Sequence, residues 1–598
     1  MMMTSEFSIR QHLLTLPIAL SAGIILFQPV AFAQSALERN LPQVAPGEPV
    51  SLGVDEQEFG ATDTTPLGVD LAGVYLIGED DAAAAAPPKG VGGKIEIIDR
   101  QAAETALGAF IGEPLTLALA GRIQAAIARV YRDAGYPFVS VTLPPQEITS
   151  GVLQVRVIEF RTGDVTVEGV APGEAEGIRK GLRAARGEKI DARALEEDLN
   201  WLNRTPYRRA EGVFRPGEDT ALSNLDVMIR TQRPWQVFAG WSNSGSSDTG
   251  RDRYFLGGSA RLPLPGAPWI SYQMTASDDI WSDPGIIIPR EGDYPGYISH
   301  AGRLTIPTFA RQSLEIAPAL VASSDRPNRF FTIENTTFEL PVIYRSAVSN
   351  ILPGRYWGDI YGGVEFKRLE RRTLFNGVSV AEGSAELFQL VLGWSGDFED
   401  RWGKTVVDVR VKANPGGVLH GNDMASWHPF SNGRIDDLRY AYLAMDLTRA
   451  TPLPAQLSWI SSLSGTLAGE ALPDTERVSL GGRYAVRGYN YDDVSVDSGI
   501  IWRNELRLPN ISLLGDGVGG DWLPPVQDSL SPYFFADLGF GGDHSTDRST
   551  TLGGLGVGFD YNVGETFSAS FIAGVALSDG GNTQAGDWNL QGSITARF

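Results

Sequence analysis

Catalysis needs a nucleophile, an acid–base pair or a metal-ligating cluster, and this sequence offers none in a working arrangement. It has no cysteine, which removes thiol nucleophiles, zinc–thiolate sites and disulfide frameworks. Its histidines, His12, His300, His420, His428 and His544, are scattered and form no H-E-x-x-H pair. No G-x-S-x-G elbow stands in a strand–turn–helix context. The acidic pairs Asp436–Asp437 and Asp492–Asp493 lie in turn-like segments and read as solvated loop groups or weak divalent-ion contacts. The run Gly554, Gly556, Gly558 lacks the Lys-Ser/Thr of a nucleotide loop and alternates as a strand does. The expectation is a protein with no catalytic residue, no metal and no cofactor.

What remains is the chemistry of a charge in an apolar wall. Between 533 and 540, Phe534, Ala536, Leu538 and Phe540 share one parity, and Tyr533, Phe535, Asp537 and Gly539 the other. A carboxylate facing lipid is costly, so in a membrane strand Asp537 must face the interior. Next come Leu555, Val557 and Phe559 opposite Gly554, Gly556, Gly558 and Asp560. Phe567, Ala569, Phe571, Ala573, Val575 and Leu577 then stand opposite Ser568, Ser570, Gly574 and Ala576. Two neighbouring strands therefore turn mostly small side chains to the side that holds Asp537, leaving room for something to pack.

The elements that must position these residues follow from composition and periodicity. The chain has 598 residues, 69 of them Gly, with 10% aromatics and a net charge of −22. The acidity argues against a nucleic-acid partner, and the Gly-rich, aromatic mix suits a β protein with many turns. Arg10, an apolar run from Leu13 to Phe32 and the Ala31-Phe32-Ala33 ending read as a secretory signal over 1–33, pointing to a Gram-negative envelope. No later stretch is long and apolar enough for a membrane helix. Residues 34–66, with Pro42, Pro46, Pro49 and Asp55-Glu56-Gln57-Glu58, read as an acidic, Pro-rich periplasmic linker. Glu79 to Pro88 reads as a loop.

Residues 67–160 and 161–232 read as two small α/β domains. In the first, Leu119, Ile123, Ile127, Val130 and Tyr131 line one helix face and Gly135 ends it. Val139, Val141 and Leu143 form one strand, Leu153, Val155 and Val157 another, with Gly151 at the turn. The second has a strand at Val165–Val167, a helix near Glu174 to Arg186, a helix capped by Asp191 and carrying Leu195, Leu199 and Leu202, and a strand at Leu225, Val227 and Ile229. From 233 to 598 helical periodicity stops and short alternating segments recur. At roughly 20–25 residues per strand with its connection, this stretch holds about 16 antiparallel strands. The last strand alternates Trp588, Leu590, Gly592, Ile594, Ala596 and Phe598 with polar residues and stops on an aromatic. That ending is usual for an outer-membrane barrel, and only a closed barrel lets β structure span lipid.

Nearly all of the chain after residue 67 resembles the two-partner-secretion transporters, the hemolysin secretion/activation proteins of ShlB/FhaC/HecB type in the Omp85 superfamily. Tyr131-Arg132-Asp133-Ala134-Gly135-Tyr136, Leu143-Pro144-Pro145-Gln146 and Val157-Ile158-Glu159 resemble the family's first POTRA domain. Arg215-Pro216-Gly217 and Leu225-Asp226-Val227 resemble its second. Val486-Arg487-Gly488-Tyr489 matches the VRGY loop motif, Asn504-Glu505-Leu506-Arg507 the strand that follows it, and Phe535-Ala536-Asp537-Leu538-Gly539 the FxDxG strand motif.

The resemblance implies a transmembrane β-barrel behind two periplasmic POTRA domains, passing an unfolded exoprotein such as a hemolysin or adhesin outward without ATP. Outer-membrane lipid and the barrel assembly machinery are the other implied partners, the latter through Phe598 as an assembly signal. An assembly factor for other barrels and a passive porin-like channel are the alternatives. On spacing alone Arg487 reads as a solvated loop charge; with the motifs, its loop is expected to fold inward against the small-residue wall and pair with Asp537. In the first POTRA domain Tyr131, Tyr136, Pro144 and Gln146 are partner-binding candidates, though Tyr131 fits a core position equally well. Members commonly carry an N-terminal helix that plugs the barrel. Here only Ser35 to Asn40 could start one and prolines follow closely, so a short, displaced or absent plug is expected.

Overall fold

A computed structural model describes residues 62–598 apart from 86, 94–99, 220, 232, 247, 291–293, 327, 355, 492, 516–517 and 521–522. The expected signal sequence, the plug segment and most of the linker lie outside the described residues.

The first α/β unit has a four-stranded sheet in the spatial order Gly90–Gly93, Gly73–Ile77, Val152–Glu159, Val139–Thr142. Helices Arg100–Gly108 and Leu117–Asp133 cover it. Thr116 caps the longer helix by accepting from the Leu119 amide at 2.9 Å. Leu119, Ile123, Ile127 and Tyr131 form its buried stripe, each apolar side chain contributing about 1.5–3 kcal/mol when fully buried. Gly135, at φ +97°, ends it. The strand expected through Leu143 closes at Thr142, where its pairing with Arg156 ends; Pro144 lacks the N–H needed to extend the ladder.

The second unit has the sheet order Arg161–Glu168, Leu222–Thr231, Arg208–Pro216 and helices Pro172–Gly181 and Ala192–Asn203. Asp191 caps the latter through the Ala194 amide at 3.1 Å. The former stops at Gly181, short of the expected Arg186. Beyond it Arg183 turns away, its amide donating to Asp198 at 2.7 Å and its guanidinium to Glu197 at 2.7 Å. Those charge-assisted bonds replace the continuation of a helix already weakened by Gly177 and Gly181.

Antiparallel strands from Trp235–Ser242 to Trp588–Arg597 close a barrel. Gln312–Ile316 and Ala319–Asp325 are two halves of one strand interrupted around Pro318, since both pair with Tyr297–Pro307 and Phe331–Ala347. Counting them once gives the sixteen wall strands expected. The seam runs from Ser593 against Ser242 to Arg597 against Phe238, and the Phe598 amide donates to the Val237 carbonyl at 2.8 Å. Along Asp528–Asp543 the parity reads as expected: Phe534, Leu538 and Phe540 are exposed on the outside, while Tyr533, Phe535 and Asp537 are buried inside.

The second α/β unit meets the barrel through charges. Asp198 accepts from Arg311 at 2.6 Å, Arg204 donates to Asp359 at 2.6 Å, Glu174 accepts from Arg261 at 2.9 Å, and the Ser349 hydroxyl donates to Glu197 at 2.7 Å. In Asp198 burial pushes the carboxyl up despite the facing Arg183 and Arg311 guanidiniums.

Candidate functional site

The site is the inside of the barrel where the loop between strands Ser458–Ala468 and Ser498–Arg507 folds inward. The loop's descent is held by apolar contacts: Leu480, Val486 and Val496 form one buried cluster with Ile501, Leu552 and Ala576 of the wall.

At the tip Arg487 is 0% exposed. Its Nε and Nη2 donate to the two oxygens of Asp537 at 2.7 and 2.8 Å, its own amide to Asp537 Oδ2 at 3.1 Å, and its Nη1 to Glu505 at 2.6 Å. This is a two-pronged fork on one carboxylate with a second carboxylate on the remaining nitrogen. The guanidinium carbon sits 3.9 Å from the Phe535 ring centroid, so an aromatic face screens the pair from water.

The glycines explain how the tip comes so close. A Cβ at Gly554 would lie 1.9 Å from the Arg487 carbonyl oxygen, and one at Gly574 2.8 Å from the Gly488 amide. Gly488 is itself at φ +108°, and a Cβ there would lie 2.8 Å from the Val575 carbonyl carbon. A Cβ at Gly539 would press on Val486 at 2.8 Å. Gly556 and Gly558 serve differently: they make room for the rings of Phe535 and Tyr533, with Cβ positions 2.5 and 2.4 Å from them. Buried Tyr489 completes the motif: its hydroxyl lies 2.9 Å from the Gly553 carbonyl and 2.8 Å from that of Ser578, and accepts from the Ser578 amide at 3.1 Å. The VRGY and FxDxG residues are thus the two halves of one lock, loop and wall.

Residues 360–561 match the model of the haemolysin secretion/activation proteins ShlB/FhaC/HecB, and residues 91–159 that of the ShlB-type POTRA domain. The chain thus carries a ShlB/FhaC/HecB-type domain in its barrel and a ShlB-type POTRA domain before it. It is 23% identical over 438 residues to the outer membrane transporter CdiB of Dickeya dadantii strain 3937, covering 71% of this chain and 70% of that protein. Its fold is shared with CdiB from Escherichia coli, at a TM-score of 0.65 and 17% identity over 92% of this chain and 94% of that one. CdiB from Acinetobacter baumannii gives 0.56 and 15% over 93% and 95%. This ShlB-type chain is accordingly an outer-membrane transporter of the two-partner-secretion family.

The other expected site residues are spread over the family's two structural parts. In the POTRA domain Tyr131 is 1% exposed, with its hydroxyl donating to Glu159 at 3.0 Å; of the two roles open to it, the structure places it in the core. Pro144 is buried and Tyr136 half-buried. Gln146 imitates a strand: its amide donates to the Gln154 carbonyl at 2.6 Å and accepts from the Gln154 amide at 2.7 Å. Gln154 does the same for the Ala84 backbone, at 2.7 and 2.8 Å. Gln146 therefore seals Val152–Glu159 where Val139–Thr142 stops short. Phe598 stands on the outside, 64% exposed, at the seam.

Sequence reading gave no role to Glu505 as the second carboxylate on Arg487. The signal was present: Arg503, Glu505 and Arg507 share a parity, and Arg503 is registered against Asp537. Arg507 donates to Asp560 at 2.9 Å and pairs with Glu505 at 2.9 Å, so the lock sits in a chain of alternating charges. No group of three His, Cys, Asp or Glu side chains positioned for a metal occurs among the described residues.

Proposed function

We propose that this transporter captures an unfolded exoprotein in the periplasm through its two α/β units, both acting as POTRA domains, and passes it outward through the barrel. Folding of the partner outside supplies the drive, with no ATP involved. The observation that carries this reading is the loop locked across the lumen by Arg487. A barrel with a folded-in loop held by a few named contacts is suited to a pore that opens for a cargo, and a passive channel has no use for periplasmic binding units. An exposed strand edge on either α/β unit is the natural place for an extended client to add as a further strand.

Deleting the gene and comparing culture supernatant, cell surface and outer membrane by mass spectrometry tests this. Loss of one large secreted or surface protein, with other barrels unchanged, is the expected result and identifies the client. Depletion of many outer-membrane barrels would make the chain an assembly factor instead.

A further inference from the structure

The lock at Arg487 fixes only the tip of the loop. The beginning of the loop runs elsewhere. The tight turn Asp474–Glu476, closed by the Glu476 amide on the Pro473 carbonyl at 2.8 Å, directs Glu476 into the wall made by Phe331–Ala347, Asp359–Phe375, Gly403–Asn414 and Tyr440–Pro452. Asp359–Phe375 and Asp528–Asp543, which carries Asp537, are the seventh and thirteenth of the sixteen wall strands. The loop therefore touches two well-separated sectors of the barrel.

The contacts at this second place are closer than chance would leave them. Glu476 Oε1 lies 2.6 Å from Lys367 Nζ, and Glu476 Oε2 accepts from the Tyr442 hydroxyl at 2.6 Å. Lys367 also faces Glu365 at 2.9 Å and Glu339 at 3.4 Å, and Lys412 donates to Glu365 at 2.8 Å. Lys367 is 0% and Glu476 1% exposed. An ammonium buried so deeply persists only when carboxylates surround it.

Of these five charges only Glu476 belongs to the loop. The four on the wall, Lys367, Lys412, Glu339 and Glu365, balance among themselves. At the tip the reverse holds. There the wall groups Asp537, Glu505 and Asp560 outnumber Arg503 and Arg507, and Arg487 from the loop makes up the difference.

We propose that Glu476 is a second positioning residue, which ties the start of the loop to Lys367 and Tyr442 and makes the loop a strut fixed at both ends across the pore. The Glu476 end is the one that releases first, because its departure leaves a balanced wall. This rests on the loop occluding the pore. It needs no exoprotein to test, so its failure is distinct from a failure of the secretion reading.

The full-length protein in planar lipid bilayers gives the readout, the frequency of large-conductance openings. Glu476→Gln keeps the size and loses the charge, and is expected to raise that frequency roughly tenfold, the effect of one charged hydrogen bond. Glu476→Asp retains the carboxylate and should restore most of the closed behaviour. Heat-modifiable gel mobility reports insertion separately. An inserted Glu476→Gln barrel opening at the wild-type frequency would overturn the proposal, as would one with altered mobility alone. Should that variant fail to insert, Tyr442→Phe decides: more frequent openings support the anchor, and wild-type openings refute it.

Discussion

The two ends of the inward loop solve the same problem with opposite charge arrangements. At the tip a loop cation, Arg487, enters a wall that carries spare carboxylates; at the start a loop carboxylate, Glu476, enters a wall already neutral among its four named groups. The first arrangement makes departure expensive, since Asp537 and Glu505 are left facing each other's field. The second makes departure tolerable. A strut with one strong and one weaker attachment lets go in order, the start first and the tip last, so that a wide pore opens only once the tip has left as well.

Removing the strong end should have the largest effect. Arg487→Ala leaves buried Asp537 uncompensated, at a cost of about 3–5 kcal/mol. Frequent pore openings and a lower heat-modification temperature are expected; wild-type conductance from a stably inserted variant would break the comparison at its root. Gly554→Val attacks the same end without touching a charge. Its Cβ would occupy the position 1.9 Å from the Arg487 carbonyl oxygen, and overpacking of this kind costs about 1–3 kcal/mol. The tip should be pushed out, with openings intermediate between wild type and Arg487→Ala. Tyr489→Phe removes one hydroxyl from between Gly553 and Ser578, worth about 1 kcal/mol. A modest rise in opening frequency is expected, and a rise as large as that of Arg487→Ala would shift the weight of the lock from the guanidinium to the tyrosine.

Much of this was legible in the sequence because a barrel strand writes its two faces alternately. Parity alone put Asp537 inside and Phe534, Leu538 and Phe540 outside; the same rule was not applied to Arg503, Glu505 and Arg507, which share one face of their strand. The glycines at 554 and 574 announced a smooth wall. What they touched was only partly readable: Gly554 faces the loop backbone, whereas Gly556 and Gly558 face rings of their own barrel. The meeting of Glu476 with Lys367 had no sequence signal. A loop's path through a lumen follows no periodicity, and the two residues are separated by four intervening wall strands. The early end of the helix at Gly181 was hidden for a similar reason. Arg183 leaves the helix for Asp198 and Glu197, a tertiary charge contact that local propensity does not contain. Gln146, singled out for a partner, pairs instead with the backbone of Gln154.

The central claim is that the loop blocks the pore in place and must leave it to open. A cysteine-free chain permits a clean test. Val486 Cγ2 lies 2.8 Å from where a Cβ on Gly539 would stand, so Val486→Cys with Gly539→Cys brings two thiols within bonding reach of each other. Oxidised, this variant should show no large openings in a planar bilayer, and reduction should restore them. Large openings at wild-type frequency with the disulfide intact would contradict the account.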